Sequence, residues 1–182
     1  MRKKSVSVGA LILFCVAVAA VPAKAQRDKS QRPSPPAKVE CNFADGKKLA
    51  VEYSSPRMKG RKIYGGLVPF GQVWRTGANE ATTFVTDGDV MVGGKPVAAG
   101  SYTIFTIPNP DKWTLIVSKK TGEWGIPYPG EGDDLMRTEM KVSSLPAPVE
   151  NFTISFKAAG STCTMQVDWE STRASIEISR KK

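Results

Sequence analysis

The densest concentration of chemically capable side chains lies between Ser54 and Glu80. Arg57, Lys59, Arg61 and Lys62 are crowded together, Tyr64, Phe70 and Trp74 follow, and the stretch closes with Arg75-Thr76-Gly77-Ala78-Asn79-Glu80. A guanidinium can fork onto a carboxylate or phosphate, and an indole or phenol ring can stack on a flat ligand. Side by side, these groups suit a small polar or anionic ligand, sugars included. An architectural reading stands beside this one. Loop cations are commonly just solvated, Phe70 and Trp74 can plug the end of a sandwich, and Arg75 can pair with Glu80 beneath them. A second concentration, Gly122 to Asp134, offers Trp124, Tyr128 and the carboxylates of Glu131, Asp133 and Asp134. Carboxylates spaced by glycine can hold Ca²⁺, but this spacing departs from the calcium-loop pattern and reads as a solvated turn. Trp124 and Tyr128 either stack on a ligand or cover an edge of the core.

The chain has no histidine. That removes the usual general base and every Ser–His or Cys–His nucleophile pair. There is also no phosphate loop, no C-x-x-C pair and no G-x-S-x-G elbow. The only S-x-x-K match, Ser179 to Lys182, lies at the chain end, where a nucleophile is poorly held in register. The sequence therefore points away from an enzyme and implies no cofactor and no metal. A carboxylate-dependent hydrolase stays as an alternative, with Glu80 working alongside Asp133 or Asp134, since paired carboxylates can do glycoside chemistry. A structural or partner-binding domain is the other.

Positioning these loops requires strands. Apolar residues alternate at Val39, Cys41 and Phe43, then at Leu49, Val51 and Tyr53 across an Asp45-Gly46 turn. Further strand patterns cover 82–86, 90–92, 95–97, 101–107 and 113–117, with a Gly93-Gly94 turn and a Pro108-Asn109-Pro110-Asp111 turn among them. Met140 and Val142, Phe152 to Phe156, Met165 to Trp169, and Ile176 and Ile178 complete the set. No convincing helical period appears. The pattern predicts an all-β fold, an antiparallel β-sandwich or partly closed barrel of about nine strands with two long loops.

The N-terminus reads as a secretory signal over residues 1–25. It has a basic start at Arg2, Lys3 and Lys4, a mostly apolar run from Val6 to Val21, and the small-x-small site Ala23-Lys24-Ala25. Residues 26–37 are polar and proline-rich and read as a disordered linker, leaving 38–182 as a single β-rich domain. Cleavage removes four basic residues and no acidic ones, so the charge falls from +9 to +5, with 22 of 26 basic and all 17 acidic residues retained. That modest surplus predicts no nucleic-acid binding, and no stable membrane insertion is expected after cleavage. The expected location is periplasmic or extracellular, with oligomeric state open. Cys41 and Cys163 remain after cleavage, both on apolar strand faces, and in an oxidising compartment they can pair. Two separate buried thiols are the alternative.

The run Tyr53 to Gly65, then Leu67-Val68-Pro69-Phe70-Gly71 and Val73-Trp74-Arg75-Thr76-Gly77-Ala78-Asn79-Glu80-Ala81-Thr82, resembles the bacterial domain of unknown function 2911 family. Ala99 to Pro108, Trp113-Thr114-Leu115-Ile116 and Trp124-Gly125 extend the resemblance over roughly residues 38–180. It implies an exported β-rich bacterial protein and carries over no catalytic residue and no activity. The expected ligand contacts are Arg57, Lys59, Arg61, Tyr64, Trp74, Arg75, Asn79, Glu80, Trp124 and Tyr128, with Trp74, Arg75, Asn79 and Glu80 converging with part of the 57–62 basic run on one concave surface.

Overall fold

The alternating segments pair into strands, each antiparallel to its neighbours. The computed structural model describes residues 28–181; the signal-like segment lies outside the described residues. The strands are β1 (Pro36–Asn42), β2 (Lys48–Ser54), β3 (Thr82–Thr86), β4 (Val90–Val92), β5 (Lys95–Val97), β6 (Gly100–Ile107), β7 (Lys112–Ser118), β8 (Asp134–Ala159) and β9 (Thr162–Arg180). They form one nine-stranded sheet in the order β1-β2-β3-β6-β7-β8-β9-β4-β5, not closed into a barrel. The expected all-β antiparallel fold of about nine strands is thus realised as one open sheet. The helical content of the described residues is two short 3-10 turns, Lys29–Gln31 and Glu131–Asp133.

Turn chemistry fixes the hairpins. Asp45 Oδ1 accepts from the Lys47 amide while Gly46 takes φ 80°, closing β1 on β2. Gly93 and Gly94 both have positive φ, 54° and 80°, as a two-residue hairpin turn between β4 and β5 requires. Four of the expected segments fuse in pairs. The 140–142 and 152–156 patterns lie on the single strand β8, and 165–169 and 176–178 on β9. Pairing between β8 and β9 is interrupted between Ser144 and Thr153. Pro146 and Pro148 fall there, and proline has no amide to give a ladder.

That interruption divides the hairpin. Its near half extends the sheet from β7, and its far half lies over β1 and β2. The Tyr53 hydroxyl meets both the amide and the carbonyl of Ile154, at 3.1 and 3.4 Å. Cys41 on β1 is disulfide-bonded to Cys163 at the start of β9, with Cα atoms 6.3 Å apart. The main core fills one face of the sheet, with Leu49, Val51, Phe84, Trp113, Phe152, Met165 and Val167 all buried in it. On the opposite face, Ala81, Phe105 and Ile116 form a small second cluster covered by Val73 and Tyr128.

Residues 28–35 lead into β1, which begins at Pro36, inside the segment expected as linker. They lie across the Asn79–Glu80 region: Arg32 and Lys29 reach Glu80, and the Asn79 amide donates to the Ser34 carbonyl.

Candidate functional site

The Ser54–Glu80 segment is anchored in the core. Ile63, Tyr64 and Val68 are buried there, and the amide of Val68 returns to the Ile63 carbonyl at 2.9 Å. Gly65, at φ 76°, makes this turn close; a Cβ there would stand 2.7 Å from the Phe70 ring. β3 begins at Thr82, opposite Ile104, and Trp74 takes the place beside Thr106 further along β6. Two backbone hydrogen bonds of 2.8 Å join Trp74 to Thr106.

From Trp74 to Glu80 the chain is clamped by its own polar groups. The Trp74 indole donates to the Gly77 carbonyl at 3.1 Å. Thr76 is fully buried at φ 55°; its hydroxyl meets that of Thr106 at 3.1 Å, and its carbonyl accepts from the Thr82 hydroxyl at 2.7 Å. A β-branched residue in the left-handed region is strained and persists only where its surroundings fix it. Here those bonds supply the fixing.

The second long loop docks on this turn. The Ala81 amide donates to the Glu123 carbonyl at 3.0 Å, and Arg75 Nη1 donates to the Trp124 carbonyl at 3.3 Å. Gly125, at φ 84°, lies against Arg75, with room for no Cβ: one would come within 2.8 Å of the Arg75 Cβ and 3.0 Å of the Ala81 Cβ. The two loops that interrupt the strand rhythm therefore form one structure.

Two cavities flank it. One, of about 460 Å³, is lined by Lys29, Lys38, Glu52, Tyr53, Glu80 and Glu123 among others. Much of its charge is satisfied internally: Glu80 meets Arg32 at 2.7 Å and Lys29 at 3.2 Å, and Lys38 meets Glu52 at 3.5 Å. The other, of about 410 Å³, is lined by Arg61, Leu67, Trp74, Arg75, Ile126 and Trp169 together with smaller groups. Trp74 and Trp169 stack there, 18° from parallel with centroids 6.0 Å apart. Arg75 is half-buried, has no carboxylate partner among the described residues, and is pushed below its usual pKa by burial. Arg61 donates only to the carbonyls of Met58 and Arg57, at 3.0 and 2.7 Å.

Of the ten expected contacts, Arg61, Trp74 and Arg75 share this cavity, and Trp124 lies beside its Gly125–Ile126 wall, 53% exposed. The others are placed elsewhere. Arg57 donates to Asn151 Oδ1 at 2.8 Å, and the Lys59 amide donates to Glu150 Oε1 at 2.9 Å, so both face β8. Tyr64 is buried behind Trp74 with its hydroxyl unpartnered; burial, with Glu170 and Asp168 adding to it, raises its pKa. Tyr128 packs edge-on against Phe105 and donates to Asp134, and its hydroxyl is pushed up to about 12, chiefly by burial and then by that carboxylate. Asn79 and Glu80 hold the 28–35 segment. The Arg75–Glu80 pair does not form, because each finds a different partner. Glu131 and Asp134 both turn onto Arg137, at 3.1 and 2.7 Å. Trp169, Leu67 and Ile126 were not expected at the site. Trp169 continues the apolar row of Met165 and Val167, which marks it for burial but does not reveal which loop it meets.

Glu80 gives a pH-dependent test of that strap. Burial pushes its carboxyl up, but its own backbone amide and the hydrogen bonds from Arg32 and Lys29 outweigh this and hold it at about 2, against an ordinary 4.5. A depressed carboxylate stabilises the fold fully above its unfolded-state pKa and loses that contribution as pH falls toward its folded value. The side chain is 38% exposed, so solvent screening keeps the contribution under about 1 kcal/mol. Glu80→Gln should therefore melt roughly 2–4 °C below wild type at neutral pH. The gap should close between pH 4.5 and 2 in a series of thermal melts. A gap constant across that window would show that the strap does not depend on the charge of Glu80.

The fold and site together define an all-β protein on one open antiparallel sheet, with an aromatic and cationic cavity built from two loops. A family model described as Protein of unknown function (DUF2911) matches residues 34–178, and the chain belongs to that family. Comparison with curated proteins and with solved structures finds no match.

Proposed function

We propose that this is an exported envelope protein whose domain binds a small polar or anionic ligand through the 54–80 segment, in the cavity lined by Trp74 and Arg75. The observation that carries the reading is Arg75. The residue is half-buried and lines a concave surface, and its guanidinium spends one hydrogen bond on a carbonyl and meets no carboxylate among the described residues. A partly desolvated cation gains by meeting an anion, and a bidentate oxyanion matches its geometry. The basic and apolar N-terminal stretch and the Cys41–Cys163 disulfide are consistent with export.

The test is a thermal-shift comparison of wild type, Arg75→Met and Glu80→Gln against sugars, carboxylates and phosphates. Wild type should respond to one ligand class. Arg75→Met should melt close to wild type, since no ion pair is broken, and should lose that response. Glu80→Gln should keep it, because Glu80 lines the other cavity. Strong destabilisation by Arg75→Met, with no ligand response in wild type, would leave the arginine as architecture.

A second reading, a domain that docks another envelope protein, draws on the exposure of Trp124 (53%) and Ile126 (68%). It predicts no small-molecule response in wild type.

A further inference from the structure

If the cavity binds a ligand as proposed above, its composition restricts what can occupy it. The polar side chains in its lining are two arginines, Gln72 and Ser34, with no carboxylate. Sugar recognition needs acceptors as well as donors arrayed around the hydroxyls; the guanidiniums offer donors only, which leaves Gln72 and Ser34 as the side-chain acceptors. The remaining surface is largely apolar: Leu67, Val68, Val73, Trp74, Ile126 and Trp169. The apolar character continues past the cavity. Leu67 and Ile126 are 46% and 68% exposed, and Trp124, next to that wall, is 53% exposed. Exposed apolar side chains gathered at the rim of a cavity mark a binding surface more often than isolated ones do.

We infer that the site takes an amphipathic organic anion, with a carboxylate against Arg75 and an apolar body lying on Trp74, which Trp169 backs from the core, and running out between Leu67 and Ile126. The anionic group supplies what Arg75 lacks. The apolar body covers surface that otherwise meets water. A cavity of about 410 Å³ falls within the usual range for small-molecule sites.

The test is a titration of the full mature chain with acetate, hexanoate, octanoate and decanoate, below their micellar concentrations. Octylammonium, glucose and inorganic phosphate serve as controls. Binding is read by tryptophan fluorescence, since Trp74 lines the cavity and Trp169 stacks directly behind it. Affinity should tighten by about fourfold for each methylene that becomes buried. Octylammonium should bind roughly tenfold or more weakly than octanoate, for want of the charge-assisted bond to Arg75. Ile126→Ser and Leu67→Ser change exposed positions, so folding should be unaffected while decanoate binding weakens by roughly tenfold. Equal binding of octanoate and octylammonium would overturn the anionic half of the inference. Saturable binding of glucose, phosphate or acetate, with no gain from added methylenes, would overturn the amphipathic class and leave the broader binding reading standing. No response to any compound would overturn both.

Discussion

Replacing Cys41 and Cys163 together with alanine is expected to lower stability by about 4–5 kcal/mol, in the chain-entropy account of disulfide stabilisation. The two cysteines are 122 residues apart, so the bond closes a loop that spans nearly the whole described domain. Such a loop is costly to close from the unfolded chain, and the crosslink removes most of that cost in advance. The native structure is suited to hold it. Both side chains are buried, and the bond pins the tip of the β8–β9 hairpin against β1. That hairpin half meets β9 in register from Thr153 to Ala159 but reaches β1 and β2 only by packing and by the Tyr53–Ile154 hydrogen bonds. Thermal melts of the oxidised protein, the reduced protein and the double alanine variant decide the matter. A drop of roughly 10–20 °C is expected for a domain of this size. A difference within about 1 kcal/mol would show that packing alone holds the hairpin in place.

The strands were legible because their signals are local. Leu49, Val51 and Tyr53 alternate within one strand, and the Asp45-Gly46 and Gly93-Gly94 turns are encoded in adjacent residues. Joins were less legible. A run through Pro146 and Pro148 carries no alternation to follow, yet the chain remains extended there because β8 pairs on both sides of the break. The site was half legible for the same reason. Residue types in 54–80 announced cations and aromatics, and the structure gathers Arg61, Trp74 and Arg75 from them. The partners that decide each side chain's role lie far away in the chain. Glu80 is claimed by Arg32, Lys59 through its amide by Glu150, and Asn79 by Ser34. In the Trp74-to-Glu80 stretch the Trp74 indole and Thr76 build the turn, where Thr76 and Asn79 take positive φ, 55° and 57°, while Asn79 and Glu80 reach out to the 28–35 segment. Arg75 lines the cavity, and its guanidinium donates to the Trp124 carbonyl of the second loop.

Trp169→Ala is expected to cost about 3–5 kcal/mol, the range for deleting a fully buried indole. Trp169 is 1% exposed and is the hub between core and site. It stacks on Trp74, meets Phe152 edge-on at 5.7 Å and Tyr64 edge-on at 6.5 Å, and donates to the Glu150 carbonyl at 3.1 Å. Removing it takes away the ring that supports Trp74 and opens the cavity wall into the core. Trp169→Phe keeps part of the ring contact. The Glu150 carbonyl still accepts from the Met58 amide at 2.8 Å, so the phenylalanine variant should lose only about 1–2 kcal/mol. Urea unfolding of the three proteins, followed by circular dichroism so that the readout does not depend on the mutated indole, measures both differences. The comparison with Arg75→Met then separates the two roles. Trp169→Ala should lose ligand response together with stability, whereas Arg75→Met should lose the response alone. If Trp169→Ala stayed within about 1 kcal/mol of wild type, the aromatic cluster would not be the support for the site, and Trp74 would have to be held by its backbone bonds to Thr106 and its indole bond to Gly77.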